Sequence, residues 1–232
     1  MADQDLAYVL HSVPYKETSL VVELFTRQAG RLPVIAKGAK RRTSQLKGVL
    51  VSFQPLGVRY TGKSEVRTLM QAEWAGSHLA PEGRALFAAY YLNELLIRGL
   101  NREDPHTELF DLYATTLQDL SVQIDLHVPV RRFELGLLAG LGYGLDYTQD
   151  AQAQAIDAQR FYTWQTEQGW KASAGNTVSG IKGTTILALA DAKMSLDMAL
   201  ELKGLTRQLL HLHVAPQGLL SRAWMEQLHK ND

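Results

Sequence analysis

The 232-residue chain contains no cysteine, which excludes disulfides, thiolate zinc sites, iron–sulfur clusters and cysteine nucleophiles together. It also lacks any apolar run approaching the roughly eighteen residues of a membrane-spanning helix. The first residues, Met1-Ala2-Asp3-Gln4-Asp5, are acidic where a secretory leader is basic and then apolar, so a cytoplasmic protein is expected. With only 18 glycines and 7 prolines it is no low-complexity polymer. At 46% hydrophobic and 21% charged residues, it can bury the core of one large domain or two small ones. Acid is missing in one place. No Asp or Glu lies between Glu23 and Glu65, whereas nine Lys or Arg do. The chain is formally neutral, with 24 basic and 24 acidic residues, yet residues 1–80 hold 11 basic against 6 acidic. Such asymmetry points to a polyanion partner for the first part.

Signatures of catalysis are absent as well. Gly140-Leu141-Gly142-Tyr143-Gly144 has the glycine spacing of a nucleotide-binding turn, but that turn must open a helix and this run closes one, so it reads as a C-cap. His211 and His213 lie two apart on a helix and face different ways, which gives no metal pair. No nucleophile elbow, phosphate-binding lysine loop or HExxH occurs, and Glu103-Asp104 sits in a loop without a partner. No enzymatic activity, cofactor or metal is expected.

What is present divides in two. Residues 1–80 run in short β-branched and aromatic stretches, 6–13, 19–27, 31–37, 49–60 and 65–74, broken by Pro14, Ala29-Gly30, Gly38 and a Gly62-Lys63 hairpin turn. Five short strands hide their edges by closing, and the five-stranded barrel of this length is the OB-fold. From Pro81 the apolar period becomes nearly four. Leu86, Ala89, Leu92, Leu96 and Leu100 form one stripe, Leu109, Tyr113, Leu117 and Leu120 a second, and Phe133, Leu137, Leu138 and Leu141 a third behind Pro129. A fourth, Leu196, Leu202, Leu205, Leu209 and Leu212, follows a Ser195 N-cap, and a last short helix runs after Pro216 through Trp224 and Leu228. The helical pattern lapses over 146–183, where Phe161-Tyr162-Thr163-Trp164 and Gly169-Trp170-Lys171-Ala172 suggest a β-hairpin insertion and residues 151–158 a mobile surface segment. The expected architecture is α+β: an OB-fold domain over 1–80, to which the acid-free stretch belongs, then a helical domain over 81–232 with a β-hairpin insertion over 146–183.

The strongest chemical feature is the run between the third and fourth strands, Ala36-Lys37-Gly38-Ala39-Lys40-Arg41-Arg42-Thr43-Ser44-Gln45-Leu46-Lys47. As a flexible arm with five cations and two hydroxyls it suits phosphate oxygens rather than base edges. The candidate nucleic-acid contacts, which become DNA-binding residues on the resemblance below, are therefore Lys37, Lys40, Arg41, Arg42 and Lys47, with a smaller contribution from Arg31. Tyr8, Tyr15, Phe53 and Tyr60 lie in the right part of the chain to stack on bases or to fill the barrel.

These segments resemble the RecO family of bacterial recombination mediators. The resemblance is carried by Val9-Leu10-His11-Ser12, Tyr15-Lys16-Glu17-Thr18-Ser19-Leu20, Phe25-Thr26, Gly30-Arg31, Ala36-Lys37-Gly38-Ala39-Lys40 and Leu46-Lys47-Gly48. It continues in Tyr91-Leu92-Asn93-Glu94-Leu95-Leu96, Leu109-Phe110, Arg131-Arg132-Phe133-Glu134-Leu135 and Leu141-Gly142-Tyr143-Gly144, and fades after residue 146. It implies an OB-fold followed by a helical domain and a non-enzymatic role. That role is to bind single- and double-stranded DNA, to anneal strands coated by single-stranded-DNA-binding protein (SSB), and with RecR to help RecA displace SSB. A nucleoid-associated cytoplasmic location follows from such partners. Many members carry a four-cysteine zinc site in the insertion; this chain resembles the zinc-free branch, with Trp164 and Trp170 holding the hairpin instead. In the family the helical domain binds the acidic SSB tail. Arg131-Arg132, the one adjacent basic pair after residue 80, is the candidate contact, beside Phe133, Leu137 and Tyr143. The competing reading is that Arg132 pairs with a carboxylate such as Glu134. Two other classes stay open: an RNA-binding OB protein, and a protein adaptor whose basic head recruits acidic tails.

Overall fold

The computed structural model describes residues 4–76, 80–122, 125–173 and 180–221. Strands β1 (Asp5–Tyr15), β2 (Ser19–Thr26), β3 (Gly30–Ala36), β4 (Leu56–Thr61) and β5 (Arg67–Trp74) close into a barrel in the order β1-β2-β3-β5-β4. β3 and β5 pair in parallel, and the other neighbours antiparallel. Alternate residues such as Val22 and Leu24 on β2, and Leu32 and Val34 on β3, fill the interior as period-two burial requires.

Two strands differ from expectation. β1 does not stop at Pro14 but continues to Tyr15. Its pairing with β4 covers only Asp5 to Ala7, so the far end of β1 is an edge, where a proline is tolerated. The fourth strand begins at Leu56, not at residue 49. Residues 49–55 form turns in which Phe53 takes φ 70, a conformation rare for a bulky residue. Burial of its ring against Tyr90, at 4.9 Å between centroids, compensates.

Helices α1 (Gly83–Gly99) and α2 (Thr107–Val122) bury the expected stripes, including Leu92, Leu96, Tyr113 and Leu117. They pack with the barrel: one compact unit comprises Met1–Ile124 with Gln217–Asp232, and the other Asp125–Pro216. In the first unit, Tyr8 and Phe25 meet Phe110 and Tyr113 at centroid distances from 5.1 to 6.1 Å. The buried Asn93 amide donates to the Leu10 carbonyl at 2.9 Å and accepts from the Tyr113 hydroxyl. The α1–α2 loop closes onto β3 at Gly30, where φ is +70 and a Cβ would lie 2.0 Å from the Asp104 carbonyl oxygen. Only glycine fits there.

The second unit contains α3 (His127–Gly140), β6 (Phe161–Gln165), β7 (Gly169–Ala172), β8 (Ile181–Lys182), α4 (Gly183–Ala190), α5 (Leu196–Glu201) and α6 (Lys203–His213). The glycine run ends α3 as a C-cap: Gly142 takes φ 86, its amide donates to Ala139 at 3.0 Å, and the Tyr143 amide donates to Leu138 at 2.8 Å. β6 and β7 form the expected hairpin, with β8 added on the other edge of β6. Trp164 and Trp170 are cross-strand partners with edge-on rings 5.1 Å apart, and the buried Trp170 indole donates to the Asp146 carbonyl at 2.6 Å. Residues 151–158 make a hydrogen-bonded loop around the Asp150 carboxylate, which accepts the Gln152 and Gln154 amides at 2.9 Å. The helix α4 was not expected. The fourth stripe is two helices, not one: Ser195 caps α5 by accepting the Met198 amide at 3.3 Å, and the chain turns at Leu202 before α6. Of the last expected helix only the start, at Leu220 and Ser221, falls within the described residues, and Trp224 and Leu228 lie outside them.

Candidate nucleic-acid interface

The basic run is a hydrogen-bonded chain of turns. Backbone amides of Ala39, Arg41, Ser44, Lys47 and Val49 each donate to the carbonyl three residues back, at 3.0 to 3.4 Å. This run needs no strand partner, which suits a sequence whose glycine and polar residues favour turns. Ala39 and Leu50 belong to the barrel core, and Leu46 and Val49 pack against it. The Lys40 amide donates to the Thr18 carbonyl at 2.9 Å and so joins the arm to the β1–β2 turn. The apolar side chains face inward, and Lys37, Lys40, Arg41, Arg42 and Lys47 are all exposed. None of the five forms an ion pair among the described residues.

Other cations of the same interval are engaged. Arg31 donates to Glu23 at 3.0 Å and to the Leu100 carbonyl at 3.0 Å, and its side chain is 16% exposed. Glu23 also receives Arg102, which reaches Glu65 at 2.7 Å, and Arg67 meets Glu103 at 2.8 Å. Arg27 forms a two-pronged pair with Asp111, both contacts at 2.9 Å, and this hydrogen bonding holds the Asp111 carboxyl below its ordinary range. These arginines tie the barrel to the α1–α2 loop and α2, a use of Arg31 that the sequence reading did not anticipate.

The four aromatic candidates separate by burial. Tyr8 is core, and burial pushes its hydroxyl up to about 12; Phe53 is core too. Tyr60 is half-buried, bonded to Asp5 at 3.4 Å and covered by the Arg67 guanidinium; burial, then the Asp5 charge, raises its hydroxyl above the ordinary value. Tyr15 is exposed at the end of β1.

In the second unit, α3 begins two residues earlier than its proline suggests, with the Asp125 carboxylate accepting the His127 and Val128 amides at 3.1 and 3.4 Å. Arg131 and Arg132 therefore stand in the second turn. They separate: Arg131 is buried and pairs with Glu134 and Thr206, while Arg132 is exposed without an ion pair among the described residues. It is thus Arg131, not Arg132, that meets Glu134. Phe133 and Leu137 are core, and Tyr143 is exposed and stacked on His213 at 3.9 Å.

No cluster of three metal-ligating side chains occurs among the described residues, and no described helix is long and apolar enough to cross a membrane. The family profile for the recombination protein O N terminal matches residues 1–78, and that for its C terminal matches residues 81–223. The chain is 42% identical to the DNA repair protein RecO of Aromatoleum aromaticum over 233 residues, 98% of this chain and 97% of that one. It is also 42% identical to that of Nitrosospira multiformis (97% and 95%), and 40% identical to that of Methylococcus capsulatus (94% and 90%). With both halves matched and the identity sustained over nearly the whole length, the chain belongs to the RecO family.

Proposed function

We propose that the protein is a non-enzymatic recombination mediator. It binds single- and double-stranded DNA through the arm, anneals complementary strands coated by SSB, and works with RecR to assist RecA. Family membership supplies the coarser statement, a role in DNA repair and recombination. The observation that carries the rest is the arm: five exposed cations, without carboxylate partners among the described residues, on a turn-rich segment anchored to a closed barrel. Anchoring matters because phosphate contacts made from an already ordered segment cost less ordering entropy than contacts made from a disordered one. Arg31 is spent on Glu23 and Leu100, so the arm is the phosphate track. For the SSB tail, Arg132 is the exposed member of its pair, without an ion pair among the described residues, and Tyr143, exposed and stacked on His213, lies on the same unit.

The test is annealing of SSB-coated complementary oligonucleotides by wild type and by K40E/R41E/R42E, with single-strand affinity measured against salt. The triple variant is expected to lose annealing and to flatten the salt slope by roughly 0.7 per phosphate contact removed. An unchanged slope overturns the arm as the DNA site.

A further inference from the structure

The outer face of the β1–β2–β3 ribbon is open where the barrel ends. Inside the barrel β1 contributes Ala7 and Val9 to the core, and Tyr8 faces outward onto α2. The register shifts between Val9 and His11: Val9 pairs with Leu24, and His11 with Glu23. One extra residue reverses the faces of everything beyond it. Val13 and Tyr15 consequently share the outer face with their cross-strand partners Val21 and Ser19, and β3 extends the first row with Ile35 opposite Val21.

The result is an apolar floor of Val13, Val21 and Ile35, none of them buried, with Val13 42% and Tyr15 38% exposed. Three partly exposed β-branched side chains beside an exposed ring are unusual on a surface that has no use for them. The rim is cationic. Lys16 takes φ 51 and holds its ammonium 5.3 Å from the centre of the Tyr15 ring. The Ser19 row, carried one residue past Ala36, brings Lys37 to roughly 10 Å from Tyr15 by strand spacing. The arm continues from there, tied to the turn by the Lys40–Thr18 hydrogen bond. Of the three carboxylates on this hairpin, Asp5 is buried at the far end and accepts from Tyr60 and the Gln28 amide, Glu23 pairs with Arg31 and Arg102, and Glu17 stands in the turn.

We infer that this face is a base-binding platform, on which Tyr15 stacks against a nucleobase of a single strand whose phosphates run along Lys16, Lys37 and the arm. The inference rests on the nucleic-acid reading above and adds to it what the arm cannot supply, a reason to prefer unpaired bases over duplex. Charge complementarity selects the occupant: an apolar floor edged by lysines matches a flat base attached to phosphate, since a base presents its π-face and its backbone presents negative charge.

The experiment compares oligo-dT with an abasic oligonucleotide of equal length, by fluorescence anisotropy across a salt series, on the full chain. Wild type, Tyr15→Ala, Tyr15→Phe and K40E/R41E/R42E are measured. Tyr15 is exposed, so its variants retain the fold. Wild type should bind oligo-dT more tightly than the abasic strand. Tyr15→Ala should lose roughly tenfold on oligo-dT, little on the abasic strand, with its salt slope unchanged, and Tyr15→Phe should restore binding. If Tyr15→Ala binds oligo-dT like wild type while the arm variant fails, the platform is overturned and the arm stands; the face then serves a protein. If the arm variant also binds like wild type, the nucleic-acid reading itself falls.

Discussion

Lys40, Arg41 and Arg42 on the arm face solvent with no carboxylate partner among the described residues, whereas Arg31, Arg67 and Arg102 on the barrel flank share Glu23, Glu65 and Glu103. Both groups belong to one compact unit, and four of these six cations come from the acid-free interval. The difference is one of reach. The arm leaves the sheet and its cations meet no carboxylate among the described residues, whereas the flank lies against the α1–α2 loop, where Gly30 and Asp104 meet. An excess of positive charge in the sequence therefore overstates the surface open to a polyanion, and the proposed binding part is the one whose cations have no carboxylate partner among the described residues. Arg131 and Arg132 repeat the contrast within two residues of one helix, one buried with Glu134 and one exposed without an ion pair among the described residues.

That helix offers the largest test of the contrast. Arg131→Ala removes the guanidinium that meets the Glu134 carboxylate, 1% exposed, and the Thr206 hydroxyl, and is expected to cost about 3–5 kcal/mol in denaturant unfolding. Arg132→Ala should leave stability within about 0.5 kcal/mol of wild type and weaken binding of an SSB tail peptide. If the two variants are equally stable, or if Arg132→Ala binds the peptide like wild type, the division between structural and binding cations fails on this helix.

On the flank the expected effect is smaller, because solvent reaches part of the network. Glu23→Ala removes the shared acceptor of Arg31 and Arg102 and should lower stability by about 2–3 kcal/mol. The salt slope of DNA binding should not change, since no phosphate contact is lost. A flattened slope would show that flank and arm act as one surface.

The smallest effect concerns the anchor of the chain's end onto this unit. Glu94 accepts the amides of Leu220 and Ser221 at 2.9 Å and the Ser221 hydroxyl at 2.6 Å. Burial alone would raise its carboxyl; the Ser221 and Leu220 hydrogen bonds, with the Arg98 charge, outweigh burial and hold it below its ordinary value. A carboxyl lowered in the folded state stabilises above its unfolded pKa, and the contribution disappears as pH falls through the folded value. Hydrogen-exchange protection of the Leu220 and Ser221 amides should therefore drop below about pH 4.5 in wild type. In Glu94→Gln it should be low and nearly independent of pH; equal protection in both would remove the anchor.

Much of this was readable from residue order. Period-two burial marked β2 and β3, period-four stripes marked α1 to α3, and the glycine run after Leu138 marked a helix end, because each depends on local geometry alone. The helix α4 escaped notice because Gly183 and two threonines are weak helix formers, and it begins with a glycine that packing demands: a Cβ there would lie 1.9 Å from the Asp157 carbonyl oxygen. The fourth stripe could not reveal its turn at Leu202, since two helices bent at a buried leucine keep nearly the same spacing as one.

The sequence by itself determined that a basic, acid-free stretch would separate two groups of strands, and that its small and polar residues would turn rather than extend. Only the tertiary structure decided which cations are paired, since an arginine finds its carboxylate through elements distant in the chain: Arg27 through Asp111, and Arg67 through Glu103. It also decided where the aromatics go. A single extra residue at Leu10 reverses the faces of β1, so Tyr8 is packed onto α2 while Tyr15, on the same strand, is left in the open beside the arm.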